Sequence, residues 1–280
     1  MGLLLVSAFI LKNIRIRKIA FPEGFQGSKA LRSADLIAVP PYISRKDLSH
    51  GVSYKGVPLT IYHSWGTGSV PPKMYENIQR LVELNPEFDY SFNKDEACRE
   101  FIAAHFEPAV VEAFDCLKPG AFKSDLWRYC VLYKNGGVYI DIKCTPVTKF
   151  IDIMKKYEMP LFVLDSPNDF IHSCSWNGFM ISAPGNPIFR KCIDEVIKNV
   201  EIKSYKGGSL SITGPCLLGK VIHEMMPNYK YKLRDSYRKI LDEHGNNIIG
   251  QYPEYREEQN LFQKGKHYGE YYRRGDVYSC

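Results

Sequence analysis

The chain has 280 residues, 45% of them hydrophobic and 24% charged, with a formal net charge of +6. That length can bury a sizeable core, and that composition excludes a disordered or low-complexity chain. Basic residues are interspersed with acidic ones outside the 12–18 cluster, which argues against nucleic acid as a partner, while the positive excess suits an anionic ligand.

Eight cysteines show neither a C-x-x-C pair nor compact spacing, so zinc ribbons and redox dithiols have no support. Cys130 and Cys192 fall on apolar helical stripes, where a thiol packs as a small hydrophobe. No Asn-x-Ser/Thr sequon occurs, which weighs weakly against long residence in a secretory lumen. Residues 1–11 are apolar and 12–18 basic. The apolar run is shorter than the roughly 20 residues a membrane-crossing helix needs. Three readings stay open for it: a truncated Golgi or ER anchor, a peripheral membrane contact through residues 1–18, or a strand of a cytoplasmic fold. Glycines, prolines and mixed polarity over residues 20–54 suggest an irregular extension, so the division expected is 1–54 and a 55–280 domain.

Residues 57–65 read as a buried strand ending in a Trp-Gly-Thr-Gly turn. Pro71-Pro72 opens a helix that Asn85-Pro86 ends, and residues 88–92 form the next strand. Asn93 with Glu96 resembles a capping box for a helix over 94–106. Alternating strands and helices predict an α/β fold with a mainly parallel sheet covered on both faces.

The stretch 121–144, AFKSDLWRYCVLYKNGGVYIDIKC, reads as helix, tight turn and strand. Phe122, Leu126, Tyr129, Cys130 and Tyr133 recur at helical spacing, and Asp125 and Arg128 lie one turn apart on another face. Asn135-Gly136-Gly137 stops the helix, and alternation then puts Val138, Ile140 and Ile142 on one side of a strand and Tyr139, Asp141 and Lys143 on the other. A carboxylate and an ammonium therefore share the strand's C-terminal end, where open α/β sheets bind ligands. Further on, residues 159–164 and 176–181 read as strands, with Asp165 placed to face the site, and 187–200 reads as a helix.

The pattern SDxxRYxxLYxxGGVYxD resembles glycosyltransferase family 32, the DxD sugar transferases that include α-1,6-mannosyltransferases and α-1,4-galactosyltransferases. The resemblance implies a GT-A fold and transfer of a hexose from a UDP- or GDP-sugar to a glycan, glycoprotein or glycolipid, with retained anomeric configuration. It implies that Asp125 and Arg128 hold the donor sugar and that Asp141 is the first Asp of the motif. Trp65 is expected to stack on the base, with His63 in the pocket wall. Asn177 is expected near the transferred sugar, and the 211–215 turn before a helix faces a phosphate or acceptor. His267, in a tyrosine-rich tail, is the candidate for a metal or diphosphate ligand beside Asp141.

One position departs from the pattern. Lys143 stands where the second Asp is expected, so dependence on a divalent metal, Mn²⁺ or Mg²⁺, should be reduced. The same departure supports the alternative of an inactive sugar-nucleotide or glycan-binding protein. A Rossmann-type oxidoreductase is disfavoured because Gly136-Gly137 follows a helix instead of opening one.

Overall fold

The computed structural model describes residues 35–165, 174–262 and 267–280. The apolar and basic segment at 1–18 lies outside them. Ile37–Ala38 (β1), Tyr42–Ile43 (β2) and Ser53–Tyr54 (β3) precede Val57–Pro58 (β4), which pairs back on β3, and Thr60–Trp65 (β5). Ser69–Val70 (β6) pairs with β1, followed by Pro72–Leu84 (α1), Asp89–Lys94 (β7), Asp95–His105 (α2) and Pro108–Cys116 (α3). Gly120–Asn135 (α4) leads into Gly137–Ile140 (β8), Cys144–Pro146 (β9) and Phe150–Lys156 (α5). Leu161–Leu164 (β10), Ser175–Ser182 (β11), Pro187–Glu201 (α6) and Pro215–Met225 (α7) come next. Leu233–Asp235 (β12), Ile240–Asp242 (β13), Asn247–Gln251 (β14), Tyr255–Phe262 (α8) and Tyr268–Arg273 (α9) complete the chain.

Ten strands form one sheet in the order β2-β7-β5-β8-β11-β10-β12-β13-β14-β9. The parallel character expected from the sequence belongs to β7, β5 and β8 and to the β10–β12 pair. The sheet as a whole is mixed, because β11 runs antiparallel between β8 and β10. Both faces are covered, and the alternation in β8 decides which residue meets which cover. Val138 and Ile140 face Met74 and Ile78 of α1 and Phe150 of α5 in one core. Tyr139 faces the other, built from α2, α3, α4, α6 and α7. Each large apolar side chain so buried contributes roughly 1.5–3 kcal/mol.

Of the described residues before Lys55, Ile37–Ala38 pairs with β6 and Tyr42–Ile43 adds to the sheet beside β7. The capping box expected at Asn93 is not formed. Lys94 precedes α2 without a side-chain cap, and Asn93 donates instead to the Ser91 hydroxyl and the His63 carbonyl.

Gly136 ends α4 with φ of +67°, and a Cβ there would lie 2.6 Å from the Pro184 nitrogen, so both conformation and space require glycine. β8 then stops at Ile140, before Asp141. Asp141 to Cys144 form a turn, in which the Cys144 amide donates to the Asp141 carbonyl (2.8 Å). In an extended strand the side chains of residues 141 and 143 would stand about 6–7 Å apart. The turn brings them into contact.

Candidate active site

One edge of the sheet gathers the ends of β5, β8, β10 and β12 and the start of β11 around a cleft of about 580 Å³, roofed by residues of α8 and α9. That volume suits a small organic ligand. Trp65, Asp125, Arg128, Asp141, Lys143, Asp165, Asn177 and His267 all line it. Sequence positions spread over two hundred residues thus meet in one place.

Asp125 and Arg128 are buried, at 7% and 6% exposure, so they are not a surface helix pair. Asp125 accepts from Asn177 Nδ2 (2.9 Å) and from the Thr213 hydroxyl (2.7 Å). Arg128 Nη1 lies 3.3 Å from Asp125 Oδ1 and 3.5 Å from Asp141 Oδ1, donates to the Asn177 carbonyl (2.9 Å), and its guanidinium sits 4.3 Å from the centre of the Tyr139 ring. Lys143 Nζ is 3.0 Å from Asp141 Oδ2 and 5.4 Å from the centre of the Trp176 ring. The Tyr139 hydroxyl donates to Asp141 Oδ1 (3.1 Å).

The two carboxylates differ electrically. Burial pushes Asp125 above the usual carboxylate range, against the opposing pull of Arg128 and its two hydrogen-bond donors. Burial also pushes Asp141 upward, but Lys143 and Arg128 outweigh it and hold Asp141 below its ordinary value. Lys143 is held above its ordinary value: burial opposes its charge, and Asp141 more than compensates. Buried ion networks contribute little net stability, because desolvation offsets their attraction. One that opens onto a cleft is therefore better explained by ligand binding than by folding.

Several contributors are not evident from local sequence. Asn77 of α1 donates to the carbonyls of Ile142 (3.1 Å) and Cys144 (2.8 Å), fixing the turn that carries Asp141 and Lys143. Ser124 bonds to Ser64 (2.7 Å) and receives Arg128 Nη2 (2.9 Å). Gly178 accepts the Asp141 amide (2.8 Å), and a Cβ on it would meet Trp176 Cζ2 at 2.2 Å and Asp141 Oδ2 at 2.7 Å. Arg256 and Gln259 enter from α8.

His63 does not line the cleft. It is fully buried, with Nδ1 2.9 Å from the Tyr90 hydroxyl and its ring edge-on to Tyr90. His267 caps α9, accepting the Gly269 amide on Nδ1 (3.2 Å), and packs its ring 4.1 Å from that of Tyr268. Among the described residues no group of three or more His, Cys, Asp or Glu is placed to hold a metal. Asp141 already has both oxygens engaged, by Lys143 on one and by Arg128 and Tyr139 on the other. A dication there would meet Lys143 and Arg128, and unit charges 4 Å apart near a protein surface interact by about 4 kcal/mol. The donor set therefore does not fit a divalent ion bound through Asp141.

A second cavity, about 650 Å³, shares no lining residue with the cleft, and its Lys156 and Lys232 are paired with Asp242 and Glu243.

The match to a known protein family falls on the segment that carries Asp125, Arg128, Asp141 and Lys143. Residues 71–160 match the family model described as "Glycosyltransferase sugar-binding region containing DXD motif". Inositol phosphoceramide mannosyltransferase 2 of Schizosaccharomyces pombe is 32% identical over 162 residues, 57% of this chain and 44% of that protein. Inositol phosphoceramide mannosyltransferase 3 of the same yeast is 33% identical over 86 residues, 31% of this chain and 24% of that protein. The initiation-specific alpha-1,6-mannosyltransferase of Candida albicans is 26% identical over 224 residues, 66% of this chain and 58% of that protein. The chain thus spans from about a quarter to somewhat over half the length of these relatives. Among solved structures, the PaToxG glycosyltransferase aligns with a TM-score of 0.48 and 16% identity over 61% of this chain and 70% of that one.

Proposed function

We propose that this protein is a retaining hexosyltransferase that moves a sugar from a UDP- or GDP-sugar to a glycolipid or glycan. The observation that carries this reading is the Asp125 carboxylate, which lies in the segment matched as a sugar-binding region, lines the cleft, and is held by Asn177 of β11, Thr213 ahead of α7 and Arg128 of its own helix. A carboxylate fixed in this way can accept hydroxyl protons of a sugar in hydrogen bonds without moving. In this reading Asp141 holds the ribose and Trp65, half-buried at the end of β5, stacks on the base. The activities named for the yeast relatives make mannose the first sugar to try and inositol phosphoceramide lipids the first acceptors. No side chain is assigned as a nucleophile.

The chemical demand in such a transfer is stabilisation of the departing nucleoside diphosphate, which favours fixed cations near the leaving oxygen. Two disulfides, Cys116–Cys280 and Cys174–Cys216, support placing the reaction in an oxidising compartment, against the weak opposite hint of a missing sequon. Binding without turnover is the second reading, favoured by the ammonium of Lys143 on Asp141.

Release of nucleoside diphosphate from a panel of UDP- and GDP-hexoses tests the proposal. Turnover is expected with at least one donor, falling about a hundredfold or more in folded Asp125→Ala and Asp141→Ala variants. Donor binding without release would leave the second reading, and turnover unaffected by both substitutions would remove the site assignment.

A further inference from the structure

In the cleft, the charges of Asp125 and Asp141 are already answered by Arg128 and Lys143, which contact them at 3.0–3.5 Å. A diphosphate brings fresh negative charge, and something must meet it. Arg256 on α8 lines the same cleft, is exposed, donates only to Gln259 (2.9 Å), and forms no ion pair among the described residues. Its position is fixed from behind. Glu258, two residues on, is buried and accepts the amides of Lys73 (2.8 Å) and Met74 (2.9 Å), capping the otherwise uncapped first turn of α1. The Tyr252 hydroxyl donates to the same carboxylate (3.2 Å). Lys143 is half-open to the cleft, and its carbonyl accepts the Tyr252 amide (3.2 Å), so the segment leading into α8 is joined to the turn that bears Lys143.

We propose that the diphosphate of the donor is bound by side-chain cations, Lys143 and Arg256, in the role a divalent metal plays in a DXD site. The proposal rests on the nucleotide-sugar reading above. Lys143 supplies the ammonium donors that its single contact with Asp141 leaves unused, and Arg256 supplies a cation that forms no ion pair among the described residues. A metal would have to draw on Asp165 or Asp235, which also line the cleft, and the manganese arm of the experiment detects that.

Titration calorimetry with GDP and UDP, and with guanosine and uridine, is to be run after exhaustive chelation and again with manganese. The full chain is used as wild type, Lys143→Gln, Lys143→Arg, Arg256→Gln and Lys143→Asp, each checked for folding by circular dichroism. Wild type should bind one nucleoside diphosphate equally with and without manganese. Lys143→Gln and Arg256→Gln should each weaken that binding about tenfold or more without affecting the nucleoside. Lys143→Arg should keep it, and Lys143→Asp should make it depend on manganese. Wild-type binding that vanishes on chelation and returns with manganese overturns the proposal while sparing the donor reading. So does unchanged diphosphate affinity in both glutamine variants. Absence of nucleotide binding under every condition overturns both.

Discussion

At the scale of single residues, the local motif and the folded site do not carry the same information. Asp125, Arg128 and Asp141 are legible because one helix and the end of the following strand bring them into a short pattern. Asn177 and Thr213, which hold Asp125, lie 52 and 88 residues away from it, and no spacing rule connects them. Gly178 is legible only as a glycine in a strand. Its role follows from the missing Cβ, so Gly178→Ala should displace Trp176 or Asp141 and reduce donor turnover by at least tenfold while the protein remains folded. Steady-state kinetics with a circular dichroism control check this. His63 shows the opposite case, a residue with chemistry that the fold uses for packing. Burial lowers its pKa to about 3, and its Nε2 has no hydrogen-bond partner among the described residues. The unfolded chain takes up a proton at an ordinary 6.5 and the folded chain resists it, so stability falls as pH drops from 6.5 toward 3. Melting temperatures between pH 7 and about 5 should fall more steeply for wild type than for His63→Phe.

At the scale of elements, hydrophobic periodicity predicts α1, α2, α4, α6 and the strands β5, β7, β8, β10 and β11, because each is packed against one or both of two cores, whereas α3, α5 and the short strands β12, β13 and β14 are not read from it. Periodicity is silent on strand direction where both faces are buried, as in β11, so the mixed sheet is not legible. It is also silent on where β8 gives way to a turn. That turn depends on Asn77, a buried polar residue on the inner face of α1 whose position suggests only packing. Asn77→Ala should leave the Ile142 and Cys144 carbonyls unpaired, at a cost of roughly 1–3 kcal/mol, and loosen Asp141 and Lys143. Chemical denaturation measures the first effect and nucleotide affinity the second. On the helical face, Glu195 joins α6 to α7, accepting Lys191 (2.9 Å) and Lys220 (2.9 Å). The Lys191 and Lys220 hydrogen bonds, opposed by partial burial, lower its pKa from 4.5 to about 2. Its contribution is fully present above the unfolded value and is lost as pH falls through about 2, so acid unfolding of Glu195→Gln should be less steep over that window.

At the scale of the whole molecule, the C-terminal elements return to the cleft that the sheet builds. α8 and α9 form part of the cleft, and Cys280 is bound to Cys116 across 164 residues. Cys174, before β11, is joined to Cys216 at the start of α7, which links the strand carrying Asn177 to the segment carrying Thr213. Neither pairing is legible from cysteine spacing, whereas the burial of Cys130 and Cys192 is. The proposed function has one central consequence: a sugar held at Asp125 should be passed to an acceptor, with the charge of the departing diphosphate met at the adjoining edge. Mass spectrometry of an inositol phosphoceramide acceptor incubated with GDP-mannose and the folded chain, wild type against Asp125→Ala, tests that transfer most directly. One added hexose with wild type, and none with the variant, is the result expected. Transfer by both proteins alike would contradict it.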